Sequence, residues 1–336
     1  MKRLLLALVA GTVLFAMPAS AMTHSGAVTM EFDLSAQTAG EAARLWIPYP
    51  VSDQDQLISK IQFTGDYAAS GVYTVPANGT PLLYAEWPQD SKSRKLTLTF
   101  EVTRAELRRG AFPDREPAWN PADYAAFLAP TSIGPTDGAV RELADKIVAG
   151  KATVLERARA IYDWTVENMY RDPETRGCGK GDVCYLLIRP GGKCTDISSV
   201  FVALCRAAGV PAREVFGLRL GKEAEQDITT WQHCWSEFFL PGYGWVPADP
   251  ADVLKAMLVE KLQLTSPRII ELRDYFWGGV DAYRFKLASG RDLVLNPAQS
   301  GEPLNTFGYP YAEVGGKPLD FYDPKSFIYR FSFKEL

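Results

Sequence analysis

Between Ala27 and about Arg104 the chain alternates. Lys95-Leu96-Thr97-Leu98-Thr99-Phe100-Glu101-Val102 sets polar and apolar residues at period two, as a strand with one buried face does. Val28-Thr29-Met30-Glu31-Phe32 and Arg44-Leu45-Trp46-Ile47 are shorter apolar-rich runs, and turn residues such as Asn78-Gly79 separate them. Several short strands at this spacing predict a small β-sandwich. Residues 105–136 carry five prolines, at 113, 117, 121, 130 and 135, and no sustained period. This predicts a connecting segment laid over the surface of one domain.

The period then changes to that of a helix. Val140, Leu143, Ala144 and Ile147 mark one face, and Gly150 ends it. Thr153-Val154-Leu155-Glu156 has the spacing of a capping box, with Leu155, Ala158, Tyr162, Val166 and Met169 as the stripe behind it. A third helix opens at Cys194, runs Ile197, Phe201, Leu204 and Ala208 down one face, and stops at Gly209 and Pro211. Strands follow over residues 213–220, 231–240 and 245–248, and Pro241-Gly242-Tyr243-Gly244 closes the last two into a hairpin. The tail from about Arg268 is again β-rich: Phe285-Lys286-Leu287 and Asp292-Leu293-Val294-Leu295 straddle Ser289-Gly290, and Phe327 to Phe333 reads as a closing strand. The fold class is α+β.

Three residues in this pattern carry chemistry. Cys194 stands at a helix N-terminus, where unpaired amides and the positive end of the helix dipole favour a thiolate over a thiol. His233, in Trp231-Gln232-His233-Cys234-Trp235, is the one histidine away from the N-terminus, His24 being the other. It can take the proton of the thiol. Asp249 returns on the hairpin beside His233 and can accept from the ring nitrogen that does not face the sulfur. Side chains alternate along the His233 strand, so Cys234 is expected to face away from His233 and not to be the nucleophile.

Composition narrows the setting. Lys2 and Arg3, the apolar run from Leu4 to Met17 and the small residues Ala19-Ser20-Ala21 read as a secretory signal over residues 1–21. Its removal would take away no acid and leave a net charge of about −6, which disfavours nucleic acid as a partner. No later stretch is apolar enough for a membrane span, so a periplasmic or secreted location is expected. The five cysteines are an odd number, so one thiol at least stays free. Cys178 and Cys184 flank a short loop and either form a disulfide or remain two thiols; Cys205 is expected in the core. With a single histidine in the fold a structural zinc site is not expected, and neither a metal nor another cofactor is called for.

The motifs Gly192-Lys193-Cys194-Thr195-Asp196, Ala207-Ala208-Gly209-Val210-Pro211-Ala212-Arg213, His233-x-Trp235-x-Glu237 and Trp245-Val246-Pro247-x-Asp249 occur in order. From about residue 153 to 255 the chain resembles the transglutaminase-like superfamily, whose core is papain-like. That resemblance implies Cys194 as nucleophile, His233 as general base and Asp249 as orienting acid. It also implies a second oxyanion donor upstream of the cysteine, for which Tyr185 is the candidate. The expected organisation is a signal peptide (1–21), an N-terminal β domain (22–106), a connecting segment and helix (107–152), a transglutaminase-like core (153–265) and a C-terminal β extension (266–336). The expected activity is hydrolysis of a peptide or amide bond in a peptide or protein substrate, cell-wall peptide among them, through an acyl-enzyme. The alternatives are amine transfer to protein glutamine, or a catalytically idle module that binds a cell-envelope protein or peptidoglycan. No D-x-D-x-D-G calcium loop is present. Arg213 and Glu237 are expected to pair, and Tyr309 and Tyr311 to line the cleft or cover a sheet edge.

Overall fold

The computed structural model describes residues 22–323 and 325–336; the secretory signal expected over residues 1–21 lies outside the described residues. The alternating N-terminal runs form strands Thr23–Asp33, Ala43–Pro48 and Lys95–Ala105, and in the last of these every second residue is buried. Two five-stranded antiparallel sheets result. One is ordered Glu225–Asp227, Ile328–Glu335, Thr23–Asp33, Lys95–Ala105, Gln56–Gly65; the other Lys317–Pro318, Tyr311–Val314, Ala43–Pro48, Pro81–Trp87, Ala69–Thr74. Val28, Met30, Leu98 and Phe100 of the first share a core with Leu45, Ile47, Leu83 and Ala85 of the second, each of the larger side chains contributing about 2 kcal/mol by leaving water. The second sheet is apolar on its other face too, where Trp46, Leu82 and Tyr84 join the helical core.

Among the described residues six α-helices follow: α1 (Gly138–Ile147), α2 (Val154–Asn168), α3 (Val183–Ile188), α4 (Cys194–Ala207), α5 (Pro250–Glu260) and α6 (Pro267–Tyr275). The capping box forms: Thr153 Oγ1 accepts from the Glu156 amide at 3.2 Å and Glu156 Oε2 from the Thr153 amide at 3.0 Å. Helix α4 departs from its sequence pattern. A one-sided stripe was expected, yet all 14 residues are buried, because α1, α2, α3 and α5 surround it and a sheet closes the remaining side. That sheet is ordered Gly244–Ala248, Gln232–Leu240, Ala212–Arg219, Arg284–Ser289, all antiparallel.

The stretch beyond residue 266 is laced through every layer. Arg284–Ser289 is the edge strand of the sheet on α4, Tyr311–Val314 pairs with Ala43–Pro48, and Ile328–Glu335 pairs with Thr23–Asp33. The strand expected over residues 292–295 is absent; Leu293 makes only an isolated bridge to Leu304, and Asp292 has φ 53°. The proline-rich segment lies along the hairpin, with Tyr124 stacked on Phe239 at 4.0 Å and Phe127 edge-on to Trp245 at 4.8 Å. Among the described residues no helix is long and apolar enough to cross a membrane.

Candidate active site

Burial of α4 on all sides leaves its N-terminus as the end that opens on a cleft of about 850 Å³, with Cys194 among the lining residues. The approach to Cys194 is fixed by one carboxylate. Asp196 Oδ1 accepts from the amides of Lys180 (3.0 Å) and Gly181 (2.7 Å), and Oδ2 from that of Lys193 (3.0 Å). This folds the Cys178 loop against the helix start, where the Cys178 carbonyl accepts from the Thr195 amide at 2.9 Å. Gly179 is required there: its φ is +93°, and a Cβ would fall 1.8 Å from Asp196 Oδ2.

His233 sits 2% exposed near the start of its strand, and its Nε2 lies 2.7 Å from Asp249 Oδ2. A carboxylate only accepts, so Nε2 holds the proton and Nδ1 is left for the thiol. Asp249 does two jobs. Its Oδ1 caps α5 by accepting from the Asp252 amide at 3.0 Å, and its Oδ2 faces the imidazole. Arg284, fully buried, closes the network from behind. Its guanidinium contacts Asp249 and Asp281 and donates to Asp252 Oδ2 at 2.8 Å. Burial alone would raise the Asp252 carboxyl, but Arg219, His233 and Arg284 hold it well below the usual carboxylate range.

The sulfur of Cys194 is not alone. The Sγ atoms of Cys178, Cys194 and Cys234 all lie within 4.8 Å of one another. The Cys194 thiol is pulled well below its ordinary value, first by the Cys178 thiol and then by that of Cys234, with His233 adding to the effect and burial opposing it. The Cys178 thiol is pushed up, first by Cys194, and the Cys234 thiol, first by burial. Cys178 is itself held by the Tyr309 hydroxyl, which donates to its sulfur at 3.1 Å. The three sulfurs are spaced for a thiophilic ion, which would consume the Cys194 thiol. His233, Asp249 and Asp252 are equally close together, but the guanidinium of Arg284 already stands where a cation would balance the two carboxylates.

His233 and Asp249 are thus brought together, and Cys194 and His233 line the same cleft. Tyr185 is more than half exposed on α3 and does not line the cleft, so it cannot donate to an oxyanion at Cys194. Cys234, expected to face away from His233, points into the α4 face, 3.2 Å from Thr195 Oγ1, and joins the sulfur cluster. Cys178 and Cys184 are both free, the first buried and the second exposed. Cys205 is buried in the core. Arg213 pairs with Glu237 at 2.6 Å. Tyr309 lines the cleft; Tyr311 does not, and its hydroxyl donates to Glu313 at 2.9 Å. Sequence reasoning missed Cys178 as a neighbour of Cys194, and Arg284. The only signal for the latter was three acids, Asp249, Asp252 and Asp281, in segments that must all sit near the site.

Residues 141–250 match the family model described as the transglutaminase-like superfamily. A Haemophilus influenzae protein, named only as uncharacterized, is 37% identical over 339 residues, covering 93% of this chain and 92% of its own. YebA of Bacillus subtilis, likewise uncharacterized, is 30% identical over 125 residues, 33% of this chain and 17% of YebA. A Cytophaga hutchinsonii crystal structure, provisionally assigned as a cysteine protease, superposes with a TM-score of 0.53 at 17% identity, over 94% of this chain and 99% of that one. At that identity the likeness speaks to the fold. The chain belongs to the transglutaminase-like superfamily, and this membership supports a cysteine-type enzyme.

Proposed function

We propose that the protein is an exported cysteine hydrolase that cleaves a peptide or amide bond, with its acyl-transfer core in residues 153–265. One observation carries the reading. A buried cysteine stands at the opening of a fully buried helix and lines one cleft with an imidazole that is held by a carboxylate. The Cys194 thiolate attacks the carbonyl carbon, and the π electrons move onto the oxygen. The Thr195 amide is already engaged by Cys178, so the oxyanion is received by the Cys194 amide, which at the first helical position has no intrahelical acceptor. His233 gives its Nδ1 proton to the leaving amine as the C–N bond breaks, then takes one from water, which attacks the thioester and frees the thiolate. Asp249 keeps the proton on Nε2 throughout. Export rests on the signal pattern of residues 1–21.

The first test is alkylation of Cys194 by iodoacetamide at pH 6, read by mass spectrometry. A free thiol is then almost wholly protonated, so the enzyme should react about a hundredfold faster; the rate of an ordinary thiol would sink the reading. A glutamine-containing peptide supplied with a labelled primary amine separates the two outcomes of acyl transfer. Free acid is expected, and stoichiometric amine incorporation would reverse the preference for hydrolysis.

The sulfur cluster makes a separate prediction. Cys178→Ala removes the thiol that contributes most to lowering Cys194. Alkylation at pH 6 should slow by about tenfold, the worth of one hydrogen bond to a charged acceptor, while the rate at high pH stays near that of the wild type. An unchanged profile would mean that His233 and the helix suffice.

A further inference from the structure

We propose that the cleft wall beside Cys194 is an anion subsite, and that the substrate is a peptide bearing a carboxylate close to the attacked bond. This rests on the reading of Cys194 as the acylated residue.

The charge balance of the cleft is opposite to that of the molecule. Arg171, Arg176, Lys193, Arg219, Lys222 and Lys255 line it, with Asp281 as the acid among the lining residues, in a chain of formal net charge −4. Some of this charge is already matched: Arg219 pairs with Asp252 at 2.5 Å, Arg176 with Asp320 at 2.8 Å, and Asp281 is engaged by Arg284. Lys222 lies over the ring of Tyr283 at 5.5 Å. Among the described residues Arg171, Lys193, Lys222 and Lys255 have no carboxylate within salt-bridge reach.

Arg171 and Lys255 both line the cleft, on a strand and a helix that pack against each other. Burial first, and then the charges of Arg219 and Arg171, lower the Lys255 ammonium, with Asp252 and the Cys194 thiolate opposing. Like charges gathered in one another's field repel, and a bound anion relieves that repulsion. Both cations line the same cleft as Cys194. Their carriers are the same elements that build the active site. Arg171 belongs to the short strand Tyr170–Arg171, which pairs with Gly191–Gly192 directly ahead of Lys193 and Cys194. Lys255 is on α5, the helix that Asp249 caps. The cations are therefore held in a fixed relation to the nucleophile. Much of the remaining lining is aromatic, including Tyr309 stacked on Phe321 at 5.1 Å, and offers an apolar seat to the rest of the ligand.

The test uses two alkylating reagents of nearly equal shape, iodoacetate and iodoacetamide, on Cys194 of the wild-type protein and of an Arg171→Ala/Lys255→Ala variant. The iodoacetate-to-iodoacetamide rate ratio should fall about tenfold in the variant, the effect of removing two cations a few ångströms from the anion. The difference should shrink at high salt. Lys255→Arg, which keeps the charge, should retain most of the preference. A ratio equal in wild type and variant overturns the subsite, whatever the absolute rates; wild-type rates no faster than a free thiol count against the active-site reading instead. The ligand is then identified by protection of Cys194 from iodoacetamide. A glutamate-containing peptide should protect at concentrations where its glutamine counterpart does not, and better than inorganic phosphate. Equal protection by the two peptides, or stronger protection by phosphate, overturns the acidic-peptide assignment.

Discussion

His233→Ala is expected to lower turnover on any cleavable substrate by on the order of a thousandfold or more, the loss when a general acid–base group is removed. The size follows from there being a single imidazole at the thiol. His24, the other histidine, is bound through Nε2 to the Gly221 carbonyl at 2.8 Å and packs against Tyr283 and Phe333. The same substitution should slow alkylation of Cys194 at pH 6 but much less at high pH, because Cys178 and the helix still support a thiolate. Asp249→Asn should act in the same direction with an added cost, since it alters the cap of α5 and leaves Arg284 facing a neutral group. Steady-state rates on a peptide substrate, paired with alkylation profiles against pH, check both. A His233→Ala protein that turns over at the wild-type rate would remove the imidazole from the mechanism.

The second large effect is on stability. Arg284→Met should destabilise the fold by about 3–5 kcal/mol, because a cation removed from a buried network leaves its carboxylates uncompensated. The guanidinium is fully buried between Asp249, Asp252 and Asp281. Urea denaturation reads the loss directly, and a change within about 1 kcal/mol would place the residue with ordinary surface pairs. Arg284→Lys should recover only part, as an ammonium cannot span the carboxylates as a planar fork does. The pH dependence has a definite sign. The Asp252 and Asp281 carboxyls are held down in the fold, by Arg219, His233 and Arg284 at Asp252 and by Arg284 and Arg219 at Asp281, against a burial effect that acts the other way. A depressed carboxyl contributes stability above its unfolded value of about 3.9 and loses it as the pH falls toward the folded value. Wild-type stability should therefore drop steeply below about pH 4, and the Arg284→Met protein should show a shallower drop.

Much of the architecture was written in local pattern. Period-two alternation announced Lys95–Ala105, the capping box announced α2, and turn residues announced the hairpin that carries His233. The order Cys194, His233, Asp249 could be read because each sits at a marked place: a helix start, a strand, and the residue before a proline. What stayed hidden depended on contacts between segments far apart in the chain. Arg284 reads as one strand residue among many until the sheet order sets it behind Asp249. The place of Cys234 in the sulfur cluster stayed hidden because alternation tells which side of a strand a residue takes, not what is packed there. Total burial of α4 was hidden for a like reason, since a stripe on a helical wheel records the most apolar face and says nothing about neighbours covering the others.

The path of the chain after α6 has a consequence for when the site is complete. The counter-ion of Asp249 arrives with residues 281–289, more than thirty residues after Asp249 itself, and Ile328–Glu335 adds a ladder beside Thr23–Asp33. A nascent or truncated chain that stops after α5 would hold Cys194, His233 and Asp249, yet lack the guanidinium that pairs with that carboxylate. The buried ion network behind His233 therefore closes only when the polypeptide has been made through Arg284.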